Sequence, residues 1–246
     1  MKLPTEKCKP QYDITQERIL LYGDPKIGKT TLASHLHPEA LIIAAEEGYR
    51  KLNAFVQPIK NWGEYIETVN ALKSNKDKFP VVVIDTITVL YDMYVKHFCG
   101  KNSVDHENDA FGGYGKGVAI LLRGFIDNFR EINKELGRGY ILIAHAQFID
   151  DDGKQLTRPL LPQDKNDKIR EAIEAEVDYI WYLNKGVVDG KTGVRQLHTQ
   201  QGTKFIAGGR GEMASPIGLI NGDPAKSAIR IKNAYKQQTI KPKETK

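Results

Sequence analysis

The stretch Arg18–Thr31, RILLYGDPKIGKTT, decides the fold. Arg18–Tyr22 reads as a short apolar strand. The next eight residues, Gly23, Asp24, Pro25, Lys26, Ile27, Gly28, Lys29 and Thr30, fit the spacing GxxxxGK[ST]. Lys29–Leu36 then opens a helix. The spacing has a chemical reason. Glycines permit backbone geometry that turns successive N–H groups inward onto phosphate oxygens. The helix N-terminus adds partial positive charge. In that arrangement Lys29 reaches the β- and γ-phosphates of a nucleotide, Thr30 coordinates Mg²⁺ through its hydroxyl, and Thr31 hydrogen-bonds the α-phosphate. ATP and Mg²⁺ are the expected ligands.

Further out, apolar strands alternate with helices. Ala40–Ala45 (ALIIAA), Phe79–Ile84 (FPVVVI) and Tyr140–Ala144 (YILIA) read as strands. Helical spacing covers Trp62–Leu72, Thr86–Phe98 and Val118–Leu136, the last with a stripe of Leu121, Leu122, Phe125, Phe129 and Ile132. This alternation predicts an α/β fold with a mostly parallel sheet covered on both faces. After about residue 175, VDYIWYL (177–183) and VRQLHT (194–199) flank the turn-rich GVVDGKTG. They predict a hairpin that extends the sheet with antiparallel strands. The expected organisation is an irregular lead (1–17), one core (18–222) and a basic tail (223–246).

Composition narrows the function classes. Apolar residues at 40% and charged residues at 27% suit a soluble globular chain. Cys8 and Cys99 form no CxxC pair, which excludes a disulfide scaffold or cysteine-built zinc site and suggests a reducing compartment. No apolar h-region opens the chain, and no apolar run approaches the roughly 20 residues of a membrane span. The expected location is cytoplasmic, with no membrane partner. The net charge of +5 is unevenly placed: from Ala225 to Lys246, seven Lys or Arg face one Glu, which leaves −1 for the rest. Such a tail suits contact with nucleic acid, or only solvation.

Two carboxylate sets accompany the phosphate loop. Asp85 ends VVVID, where a metal-binding aspartate is expected beside such a loop. The alternative is a helix N-cap. Thr86 follows it, so there is no Asp-Glu pair. Glu46 and Glu47 end ALIIAAEEG. In a parallel sheet that end shares an edge with the phosphate loop. A carboxylate there can orient and deprotonate an attacking water.

The segments LLYGDPKIGKTT, IIAAEEG, VVVIDTITVL and YILIAHAQ together resemble the RecA superfamily core over roughly residues 18–220. The closer resemblance is to a phage-encoded group of compact RecA-like ATP-binding proteins, some of which act in single-strand annealing and recombination. The resemblance implies a RecA-like P-loop fold. It matches Glu46 to the catalytic glutamate and Asp85 with Thr86 to the Walker B strand end. It places a polar sensor at His145 or Gln147. It sets the glycine-rich segment 100–117 and the polar segment 148–168 where RecA-type proteins carry their DNA loops. Lys101, Tyr114 and Lys116 in the first, and Lys154 and Arg158 in the second, are then the DNA-binding candidates. Asp105, Glu107 and Asp109, and the run Asp150–Asp152, oppose phosphate there.

The resemblance also implies a cation lent to a neighbouring subunit, with Arg210 of GGRGE the candidate and Lys204 its rival. Its implied partners are single-stranded DNA, further copies of the chain in a ring or filament, and a single-strand-binding protein. Only about 17 residues precede the first strand, so Tyr12 and Ile14 are the residues to dock on a neighbour. In the tail, Tyr235 among Lys232, Lys236 and Lys241 suits stacking plus phosphate contact. The expected function is a DNA-dependent ATPase acting in phage-style recombination or annealing, in the host cytoplasm. A P-loop kinase for a small acceptor and an ATP-dependent assembly switch are the competing readings.

Overall fold

A computed structural model of the chain describes residues 3, 5, 6 and 8, and then 11–75, 77–151, 153–162, 167–188 and 190–238. The elements are β1 (Arg18–Gly23), α1 (Lys29–Leu36), β2 (Leu41–Ala44), β3 (Phe55–Pro58), α2 (Trp62–Lys73), β4 (Val82–Asp85), α3 (Ile87–Asn102) and α4 (Lys116–Leu136). They continue with β5 (Tyr140–Asp151), β6 (Lys154–Leu160), α5 (Lys168–Glu176), β7 (Tyr179–Val188), β8 (Lys191–His198), β9 (Gly208–Gly209), β10 (Ile217–Gly218) and α6 (Pro224–Lys236). One sheet runs β10-β8-β7-β1-β5-β4-β2-β3, with β6 added to β5 and β9 to β7. The strands from β3 across to β7 are parallel. β6, β8, β9 and β10 are antiparallel to their neighbours. This is the α/β architecture that the alternating pattern predicts.

The parallel strands read as unbroken apolar runs because both faces are covered. Leu20, Tyr22, Val82 and Ile84 point to the side packed by α2, α3, α4 and α5. Ile19, Leu21, Val81 and Val83 point to the side packed by α1 and α6. Helix α2 starts where Asn61 accepts from the Glu64 N–H at 3.1 Å and Glu64 returns a carboxylate to the Lys60 N–H at 2.8 Å. Such reciprocal capping satisfies two N–H groups that the helix leaves unpaired. Helix α4 buries Leu121, Phe125, Phe129 and Ile132 completely. Phe125 meets Tyr91, Tyr94 and Trp62, so one aromatic cluster joins three helices to the sheet.

Ion pairs clamp the amino ends of β1 and β7. Arg18 bonds Glu176 at 2.9 Å and Asp178 at 2.8 Å. Arg130 of α4 adds a 3.0 Å contact to Glu176, and Arg210 a 2.7 Å contact to Asp178.

Several expectations change in the folded chain. The segment after residue 222 is no detached tail up to Gln238. Asp223 caps α6 by accepting from the Lys226 N–H at 2.9 Å, and Pro224 opens it. Ala228, Ile231 and Tyr235 are buried against α1 and the sheet. Tyr235 therefore packs inside, with Tyr12 and Tyr179 on its ring and its hydroxyl on Glu17, and is not a stacking platform. Lys241 lies outside the described residues. Tyr12 and Ile14 pack on their own chain. The long loop expected at 100–117 is largely folded: α3 runs to Asn102, a 3-10 turn spans Glu107–Gly112 and α4 starts at Lys116. The polar segment after Gln147 is mostly a hairpin, β5 paired with β6 from His145–Leu160 to Asp151–Lys154, and Asp152 lies outside the described residues. Strands β3, β9 and β10 and helix α5 were too short or too polar to register as periodic.

His37, the residue ending α1, is 5% exposed. Its Nε2 has no partner among the described residues. Burial, with Lys232 nearby, pushes its imidazole down to about 4. A base held neutral by folding contributes stability that is lost as pH falls from the unfolded value of about 6.5 towards the folded one. At pH 5 this linkage costs about 2 kcal/mol. The wild-type unfolding midpoint is expected to fall between pH 7 and pH 5 by more than that of His37→Gln. Parallel pH profiles would sink the assignment.

Candidate nucleotide site

The carboxyl ends of β1, β2, β4 and β5 meet at one edge, because these strands are parallel and in register. Gly23 lies opposite His145, Ala44 opposite Asp85, and Asp85 opposite Ile143. Four segments that are distant in sequence thus deliver their polar ends to one place.

The loop between β1 and α1 has the geometry its spacing predicts. Gly23 passes so close to β7 that a side chain would strike the Leu183 carbonyl. Gly28 has φ +100, a left-handed conformation that side chains resist. Ile27 is buried and anchors the loop in the core, while Asp24, Pro25 and Lys26 are exposed. Ile27 therefore offers a ligand only its backbone. Lys29 is 6% exposed and donates to the carbonyls of Gly23 and Asp24, both at 2.9 Å. Burial lowers its pKa, against the charges of Asp85, Asp24 and Glu46. Thr31, in the first turn of α1, is half-buried.

The expected partners of Lys29 are in place. Thr30 donates its hydroxyl to Asp85 Oδ2 at 2.6 Å. Burial raises the Asp85 carboxyl, the Thr30 bond opposes this, and the charge of Glu46 adds to it. Asp85 is not an N-cap, since α3 starts at Ile87 with Thr86 in the cap position. The Asp85–Thr86 peptide is cis. A hydroxyl and a carboxylate are hard oxygen ligands of the kind Mg²⁺ takes beside phosphate oxygens. The glycine cradle and this donor set fit a Mg²⁺-nucleotide.

Glu46 is separated from Glu47 by what each touches. Thr86 Oγ1 donates to Glu46 Oε1 at 2.8 Å. Glu47 turns outward to an exposed ion pair with Arg50. His145 spans the site, with Nδ1 at 3.5 Å from Lys29 Nζ and Nε2 at 3.7 Å from Glu46 Oε2. Its two ring nitrogens thus face Lys29 on one side and Glu46 on the other. Gln147 sits two residues further along β5, opposite Arg158 of β6. His145 thus reaches both Lys29 and Glu46.

The remaining candidates lie elsewhere. Arg210 is held by Asp178 beside Arg18, at the edge of the sheet opposite the phosphate loop. It takes no part in the site of its own chain. Lys204 lies in the connection before β9, its carbonyl accepting from the Thr157 N–H at 2.8 Å. Arg158 is engaged by Asp167 at 3.1 Å with its side chain 12% exposed, which takes it out of reach of an external phosphate. Lys154 opens β6. Lys101 is exposed in the last turn of α3, and Lys116 is exposed where α4 begins. Tyr114 beside it is fully exposed, with φ +54. No helix among the described residues is long and apolar enough to cross a membrane.

A family described as AAA domain matches residues 15–211. Among solved structures, the crystal structure of the RadB recombinase aligns at 18% identity with a TM-score of 0.45, over 75% of this chain and 80% of that one. No curated protein matches the chain.

Proposed function

The chain belongs to this AAA domain family, and from that premise we propose that it is a RecA-type ATPase whose turnover responds to single-stranded DNA. The observation that carries hydrolysis is the contact line from Lys29 through His145 to Glu46 and Thr86, beside the Thr30–Asp85 pair. Loop N–H groups and Lys29 hold the phosphates. Thr30 and Asp85 would hold Mg²⁺, which would supply neutralisation of the charge developing on the phosphate oxygens. Glu46 takes a proton from the attacking water, with its Oε1 fixed by Thr86. His145 reports the state of that carboxylate to Lys29.

The DNA reading is supported by two features besides the resemblance. Strand β5 is continuous from His145 to the hairpin turn, so a ligand that shifts the hairpin bears on the site. Tyr114 and Lys116 offer an exposed aromatic beside a cation, the mixture that single strands take. In this proposal copies of the chain assemble as a ring or filament on single-stranded DNA during phage-type recombination or annealing, alongside a single-strand-binding protein.

The test is ATP hydrolysis with and without single-stranded DNA. Stimulation is the expected result. Removing Lys101 and Lys116 together is expected to weaken DNA binding and flatten its dependence on salt by about 0.7 per lost phosphate contact. Turnover indifferent to DNA overturns the DNA reading. Transfer of phosphate to a small acceptor would make the chain a kinase instead.

A further inference from the structure

Arg195 has no place in the site as drawn from the sequence, yet it lies against the phosphate loop. Side chains alternate along a strand. Arg195 therefore shares a face of β8 with Leu197, which packs with Leu183 and Leu219 in the core under α1. Arg195 pairs with Lys185 of β7, two residues beyond the Leu183 that pairs with Gly23. It thus stands just past the end of β1, at the edge where the loop begins. A side-chain atom placed on Gly28 would come within 2.8 Å of Arg195 Nη1. The guanidinium rests on the loop beside a narrow crevice lined by Gly28, Leu32, Leu183, Leu219 and Pro224.

The charge here is unbalanced. Arg195 is half-buried and makes no ion pair or side-chain hydrogen bond among the described residues. A guanidinium carries five N–H donors and no acceptor. The loop it rests on carries Lys29, Lys26 and the uncapped N-terminus of α1 as positive groups, against one carboxylate, Asp24, which is exposed to solvent. An anion on the loop complements all three.

The sheet order says which part of a nucleotide that is. Thr30, Asp85, Glu46 and His145 engage on the β4–β5 side of β1, whereas β7 and β8 lie on the other side. A nucleotide with its terminal phosphate at Glu46 and His145 directs its opposite end towards β8. We propose that Arg195 binds the α-phosphate and ribose end of the nucleotide held by its own chain. This rests on the ATPase reading and adds to it a residue that serves triphosphate and diphosphate alike.

The experiment is calorimetric titration of the full chain with ADP and with a non-hydrolysable ATP analogue, each with Mg²⁺. Wild type, Arg195→Ala and Arg195→Lys are compared. A charge-assisted contact of this kind is worth about 10- to 100-fold in affinity. Arg195→Ala is expected to lose that factor equally for both ligands, and Arg195→Lys to recover part of it. The unfolding midpoint without ligand checks that each variant folds. If Arg195→Ala does not fold, the lysine variant and Arg195→Gln carry the same comparison. Unchanged affinity, or a loss confined to the ATP analogue, overturns the role of Arg195 while wild-type binding keeps the ATPase reading. Failure of the wild type to bind either ligand overturns both.

Discussion

Glu46→Gln is expected to lower ATP turnover by about 10²- to 10⁴-fold, the range for losing a positioned general base. Its affinity for nucleotide is expected to stay near wild type. Glutamine keeps the size of the side chain and an oxygen to accept from Thr86 Oγ1, so the 2.8 Å contact survives. What it lacks is basicity. Lys29→Ala supplies the contrast. Lys29 is buried in the loop and bonded to its carbonyls, so removing it takes away a phosphate donor as well as packing. That variant is expected to lose binding and turnover together. Single-turnover hydrolysis beside nucleotide titration separates the two. If Glu46→Gln hydrolyses ATP at more than a tenth of the wild-type rate, Glu46 is not the base.

Arg18→Ala is expected to lower stability by about 3 kcal/mol, the low end for breaking a buried ion pair. The low end applies because the Arg18 side chain is 19% exposed, against 9% for each of its partners. For a chain of this size that is a drop of about 6–12 °C in the unfolding midpoint. The cost arises from what is left behind: Glu176 and Asp178 stay buried with fewer cations to face. Burial alone would raise the Asp178 carboxyl, but the hydrogen bonds from Arg18 outweigh it and hold the carboxyl below its usual value. A depressed carboxyl contributes stability above its unfolded pKa, about 3.9, and loses it as pH falls through the folded value. The gap between Arg18→Ala and wild type is therefore expected to narrow below about pH 3.9. A midpoint within 2 °C of wild type at pH 7, read against that expected drop of about 6–12 °C, would show the clamp to be dispensable.

The phosphate loop was legible because its determinants are contiguous. Fourteen residues carry the strand, the glycines, the lysine and the hydroxyl, and no distant contact is needed to see them. Asp85 was nearly as legible, since an acid ending an apolar strand has few structural reasons to be there. Glu46 could be placed at the right edge by strand direction. Its separation from Glu47 in the fold needed Thr86 on one side and Arg50 on the other. Helix α6 carried a readable start in Asp223 and Pro224, and an apolar spacing in Ala228, Ile231 and Tyr235. The lysines around them give the same segment the composition of a solvated tail.

By itself, then, the sequence determined the α/β class, the nucleotide loop and the strand ends that face it, because each is written in local pattern and period. Only the tertiary structure brought His145 to Lys29 and Glu46, since nothing in the local pattern of β5 shows which distant residues its end will meet. It alone moved Arg210 onto Asp178, 32 residues earlier in the chain. It alone set Arg195 beside Gly28, across 167 residues of sequence. An arginine in an alternating strand reads as solvated. Its role depends on which neighbour the sheet order brings to it, and that order is a property of the whole fold.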